Sequence, residues 1–167
     1  MARPRRIPDY AYTGIQRYFL TICTDNRAQF FRETAVVDAV LEQFLRRSRK
    51  EGIAIIVYCV MPDHMHLLVD GESEDADLTR FVKLAKQRTG YGFKQKYRKR
   101  LWQKGYYEHV LRDEERTEDV VLYIIENPVR KGIVQNPMDY PHWGSGIYSR
   151  EELLYSIGLR RGSARRV

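Results

Sequence analysis

Four positions carry the chemistry this sequence can offer. His64 and His66 stand two apart in MPDHMHLLVD (61–70), and Tyr123 and Asn127 stand four apart in YIIENPVR (123–130). Alternate side chains of an extended chain share a face. His64, His66 and Leu68 therefore fall on one side, and Met65, Leu67 and Val69 on the other. Two imidazoles whose Cα atoms are about 6.5–7 Å apart can converge on one ion. They can equally be two half-buried histidines making ordinary hydrogen bonds. Cys23 and Cys59 sit in apolar runs without a Cys-x-x-Cys pattern, so a metal here would rely on His and oxygen ligands. That donor set suits Mg²⁺ or Mn²⁺ near phosphate, with Zn²⁺ as an alternative. On one helix Tyr123 and Asn127 would share a face. A phenol is a nucleophile once its proton is taken. The plainer readings are a boundary tyrosine with its hydroxyl in water, and an asparagine chosen for the turn into Pro128.

These residues need elements to hold them. QRYFLTICTD (16–25) is β-branched and aromatic, as a strand would be. Val36, Val37, Val40, Leu41, Phe44 and Leu45 form one apolar stripe, which predicts a helix over 34–50. IAIIVYCV (53–60) is apolar throughout, like a strand buried on both faces. The Pro62-Asp63 turn sends 64–70 back as the second arm of a hairpin. A second helix is expected from about 77, with Leu78, Phe81, Val82 and Ala85 inward, a basic outer face, and an interruption at Gly90-Tyr91-Gly92. LWQKGYYEHVLRD (101–113) suggests one or two more strands. A third helix is expected from near Asp113, with Glu114 and Glu115 favourable in its first turn and Val120, Val121, Ile124 and Ile125 inward. Pro128 ends it at about Asn127. A short helix is expected at 150–157. The order β-α-β-β-α-β-α predicts an α+β, ferredoxin-like (split β-α-β) antiparallel sheet with helices on one face and the other face open for a ligand, the histidines lying on the surface opposite the core or on the side under the third helix. One domain is expected over 1–167: a basic arm (1–16), a core (17–131) and a C-terminal extension (132–167).

Charge narrows the partner. Among 167 residues, 29 Lys and Arg against 22 Asp and Glu give a net charge of +7. The cations cluster at Arg3, Arg5 and Arg6, at 46–50, at 83–100 and at 160–166, which favours a polyanion, usually nucleic acid. Lys83, Lys86, Gln87 and Arg88 on the second helix, then Trp102 and Gln103, form the expected DNA surface. Tyr91, Phe93, Tyr97 and Trp102 interleave with the cations, as stacking on unpaired bases would use, while Phe93, Tyr97 and Trp102 can equally fill the edge of a core. No run nears the roughly 18 apolar residues of a membrane span, and no apolar segment follows the basic N-terminus. A reduced, cytoplasmic protein without a membrane partner is expected.

VMPDHMHLLV (60–69) resembles the HUH motif, histidine–hydrophobic–histidine, of single-tyrosine HUH transposases. LWQKGYYEHVLRD and YIIENPVRKGIV resemble the downstream blocks of the REP-associated tyrosine transposases, in that family's order. With the opening strand, the likeness spans most of 17–135. It implies Tyr123 as nucleophile, His64 and His66 as metal ligands, and Asn127 as the third ligand where insertion-sequence members carry glutamine. Mg²⁺ or Mn²⁺ is the implied cofactor. The implied activity is cleavage and strand transfer of single-stranded or hairpin DNA, such as a repetitive extragenic palindrome, through a 5′-phosphotyrosine. His109 falls in a matched block and is a further candidate, as a site residue or a structural one. The likeness also implies a bacterial, nucleoid-associated protein, monomeric or a homodimer. Two other readings compete: a metal phosphodiesterase using activated water, and a non-catalytic nucleic-acid-binding module on the same sheet.

Overall fold

A computed structural model describes residues 12–112 and 116–158. Its elements run β1 (Arg17–Cys23), α1 (Thr34–Lys50), β2 (Ile53–Met61), β3 (His64–Gly71), α2 (Leu78–Tyr97), β4 (Tyr107–Val110), α3 (Thr117–Ile125), α4 (Asn127–Arg130), β5 (Trp143–Gly144) and α5 (Arg150–Ser156). The strands form one antiparallel sheet in the order β4-β1-β3-β2-β5. The central four follow the order expected of a split β-α-β fold, so the molecule is α+β and ferredoxin-like.

Alternation along β3 divides the interior in two. Met65, Leu67 and Val69 join Tyr18, Leu20 and Ile22 of β1 in a core under α1 and α2, with Val37, Phe44, Phe81 and Val82 opposite them. Leu68 faces the other way, into a second core with Val121, Ile124 and Ile125 of α3 and with Tyr140, Trp143 and Leu153. β2 feeds both. A bulge between Ile55 and Val57 switches its alternation. Ile53 and Ile55 thus enter the first core, and Val57, Cys59 and Met61 the second.

Four expectations change. Helices occupy one face only as far as α1 and α2 are concerned; α3 crosses the other face, over β2 and β3. That second face is therefore partly roofed rather than open. α2 runs unbroken through Gly90 and Gly92. A helical glycine costs about 1 kcal/mol, and the buried row Phe81, Ala85, Thr89, Phe93 outweighs it. The third helix ends at Ile125, and Pro128 sits in the first turn of a separate short helix, where its missing N–H costs nothing. Residues 113–115, expected to begin that helix, lie outside the described residues. Finally, the C-terminal extension is not an appendage. β5 pairs with β2, and Arg150 donates to the carbonyls of Pro141 and Trp143 while stacking 4.5 Å over the Trp143 ring.

Candidate active site

The histidine pair forms on the α3 side of the sheet. β3 lies between β1 and β2, so His64 faces Cys23 and Met61 across the strands, and His66 faces Thr21 and Cys59. The two residues are 7% and 6% exposed. Their Nε2 atoms stand 3.1 Å apart. Each Nδ1 has its own partner: Asp63 Oδ1 at 2.6 Å for His64 and Thr21 Oγ1 at 2.9 Å for His66. The Asp63 carboxylate only accepts, so neutral His64 keeps its proton on Nδ1 and offers a lone pair at Nε2. The Thr21 hydroxyl donates or accepts, and lets His66 carry its proton on either nitrogen. Asp63 is itself held by Arg27 at 3.1 Å.

Burial lowers the pKa of His64, against the pull of Asp63. Burial pushes His66 down to about 3, helped by His64, Arg130 and Arg27. Both rings are thus neutral at pH 7, the form that binds a cation. Two nitrogens each about 2.1 Å from one ion would stand about 3 Å apart, which fits the observed pair. Fixing the far nitrogen of each imidazole is the support that metal-binding histidines need. Among the described residues no group of three His, Cys, Asp or Glu side chains gathers here. Further ligands would be Asn127 or oxygen from outside the chain. Asn127 is 3% exposed at the start of α4, which packs on β2.

α3 carries Tyr123 over this face. Val121, Ile124 and Ile125 point into the sheet and leave Tyr123 48% exposed beside it. Its ring lies 6.1 Å from that of His66 and 6.0 Å, edge-on, from that of Phe19. Phe19 in turn stacks on His66 at 5.4 Å. The first turn of α3 is tied to the sheet, because Arg17 bonds both Thr117 and the Asp70 carboxylate. His109, opposite Phe19 on β4, lines a cleft of about 300 Å³ with Phe19, Leu111, Asp119, Val120 and Tyr123. The structure thus brings His64, His66, Tyr123 and His109 to one region.

The expected DNA surface is not brought there as a unit. Lys83, Gln87 and Arg88 are exposed on α2, across the sheet from the histidines. The Lys86 ammonium donates to the carbonyls of Gln103 and Gly105, and burial lowers its pKa to about 8. Lys86 therefore fastens a loop. Trp102 is corrected from base-stacking platform to core: it is 5% exposed, packed against Phe31 and Phe44, with its indole N–H on Thr89 Oγ1 at 2.8 Å. Gln103 is exposed on that loop, while Arg3, Arg5 and Arg6 lie outside the described residues. The cations whose charge acts on the histidine pair are Arg27, Arg130 and Lys131. Sequence reasoning passed over all three. Arg130 and Lys131 fall within YIIENPVRKGIV, so proximity to Tyr123 was the available signal.

Comparison with known proteins shows the family. The model of the family described as "Transposase IS200 like" matches residues 15–127. Two curated relatives bear the name REP-associated tyrosine transposase. The one from Haemophilus influenzae is 29% identical over 145 residues, covering 80% of this chain and 81% of its own. The one from Escherichia coli K12 is 28% identical over 134 residues, covering 79% and 77%. A solved REP-associated tyrosine transposase bound to a REP hairpin superposes with a TM-score of 0.71 at 24% identity, over 86% of this chain and 82% of its own. A structure from Deinococcus radiodurans follows at 0.51 and 21%, over 76% and 97%. The chain belongs to the IS200-like transposase family and is similar to its REP-associated tyrosine members.

Proposed function

We propose that this transposase cuts and rejoins single-stranded DNA at a hairpin, with Tyr123 as the attacking group. The observation that carries the reading is a neutral histidine pair, Nε2 atoms 3.1 Å apart, with the Tyr123 ring 6.1 Å from that of His66. The Tyr123 oxygen bonds to phosphorus as the bond to the 3′ oxygen breaks. The proton lost by the phenol is balanced by one gained at that 3′ oxygen. The product is a 5′-phosphotyrosine that keeps the ester's energy for strand transfer. His64 and His66 would hold a divalent ion, Mg²⁺ or Mn²⁺, with Asn127 as the protein's remaining donor. When bound, the ion supplies Lewis acidity to the scissile phosphate. Asp63 and Thr21 orient the two rings, and Arg27 and Lys131 offer charge to the DNA backbone. α3 covers its own sheet, which supports a site complete within one chain. The hairpin-bound relative supports a REP-like substrate, and bacterial chromosomal DNA is then the setting.

The test is incubation with labelled single-stranded hairpin DNA and Mn²⁺ or Mg²⁺, followed by denaturing electrophoresis. An adduct that survives denaturation is expected, absent in Tyr123→Phe and in His64→Ala. Cleavage by Tyr123→Phe at the wild-type rate would instead mark a water-using phosphodiesterase.

A further inference from the structure

Arg130 touches Tyr123 twice. Its guanidinium carbon lies 4.0 Å from the centre of the Tyr123 ring. Its Nη2 donates to the Tyr123 carbonyl oxygen at 2.6 Å. The carbonyl belongs to the last turn of α3, where backbone acceptors lack partners within the helix. At Glu126 the chain passes from α3 into α4 with helical backbone angles, and α4 brings a residue seven positions on over the nucleophile. Glu126, one turn before Arg130, stands 3.9 Å from its Nη1.

The need for such a contact follows from exposure. The α3 residues that grip the sheet are Val121, Ile124 and Ile125, and Tyr123 projects beside them, 48% exposed. A half-exposed tyrosine has several staggered positions open to it. Phe19 and His66 meet its ring from the sheet side only. Resting on Tyr123 being the attacking group, we propose that Arg130 is its positioning residue: a single guanidinium pins the nucleophile's backbone and its ring together, on the histidine side of α3. Arginine suits this task because its flat fork stacks on a ring face while donating in its own plane. A lysine ammonium is one point charge and does one or the other.

The experiment compares wild type, Arg130→Gln and Arg130→Lys by two readouts. The first is the set of Tyr123 ring signals in carbon–proton NMR spectra, assigned by their loss in Tyr123→Phe. The second is the single-turnover rate of adduct formation on hairpin DNA, with hairpin affinity measured alongside. Both variants are expected to displace the Tyr123 signals while leaving those of the buried Tyr18 in place. Both are expected to slow adduct formation by about tenfold to a hundredfold, the usual effect of a reacting group misplaced by about an ångström. Arg130→Lys is expected to bind DNA as wild type does, which separates positioning from charge. Unmoved ring signals, or a wild-type adduct rate in Arg130→Gln, would overturn the proposal. So would a rate loss matched by an equal loss of affinity, because Arg130 would then be a phosphate contact. No adduct from wild type would sink the reading of Tyr123 itself, and the positioning role with it.

Discussion

At the scale of the residue, the histidine pair is made by its neighbours. Asp63 and Thr21 each take one imidazole nitrogen and aim the other at a shared point. Removing such a support costs metal affinity without removing a ligand. Asp63→Asn and Thr21→Val are each expected to weaken Mn²⁺ binding about tenfold to a hundredfold, as titration calorimetry would measure. Acid should act through His66. Its pKa is about 3 in the fold and returns to about 6.5 in the unfolded chain. Between those values the unfolded state binds a proton that the folded state refuses. The stability linked to His66 is therefore intact above pH 6.5 and is lost as pH falls, by at most about 1.4 kcal/mol per pH unit. Urea unfolding at pH 7 and pH 5 should show that loss, and His66→Gln should reduce it. The face shared by His64 and His66 was legible in the sequence, because alternation is local. Thr21 was not. It meets His66 only through the register of β1 on β3, a partner 45 positions away. Arg130 was hidden for a related reason: its place over Tyr123 depends on the turn at Glu126.

Elements decide which residues reach the site. The spacing of Tyr123 and Asn127 suggested one continuous helix face, but α3 stops at Ile125 and α4 starts at Asn127. Asn127 is buried there, while Tyr123 is half exposed. Trp102 shows the limit of reading aromatics among cations. Stacking surface and core edge look alike in sequence, and burial against Phe31 and Phe44 settles it. The grip of α3 is itself testable. Ile124 is fully buried under the helix, so Ile124→Ala is expected to destabilise the protein by about 2–5 kcal/mol. Chemical denaturation would measure this, and adduct formation should fall with it as the tyrosine helix loosens. The helix boundaries of α1 and the strands β2 and β3 were legible because periodicity and apolar runs report burial directly. The crossing of α3 onto the histidine face was legible only as one of two alternatives, since local pattern does not say which side of a sheet a helix chooses.

For the whole molecule, a net charge of +7 implies DNA binding that weakens steeply with salt. The logarithm of affinity is expected to fall linearly with the logarithm of salt concentration, with a slope of about −0.7 per phosphate contacted on a single strand. Fluorescence anisotropy between low and physiological salt would give that slope. Arg27→Gln and Lys131→Gln should each make it shallower by about one contact. The two cores of the sheet also bear on where the protein can be cut. The match to the family ends at residue 127, yet Tyr140, Trp143 and Leu153 belong to the core beneath α3, and β5 occupies the outer side of β2. A fragment trimmed to the shared span would bare the outer edge of β2 between Ile55 and Val60, where the tail now bonds, with a free rim of backbone donors and acceptors. Such a rim invites strand addition from another copy. The trimmed protein should emerge as soluble aggregates in size-exclusion chromatography while the full chain does not. The tail would then serve as a built-in guard against self-association, as essential to handling the enzyme as the histidines are to its chemistry.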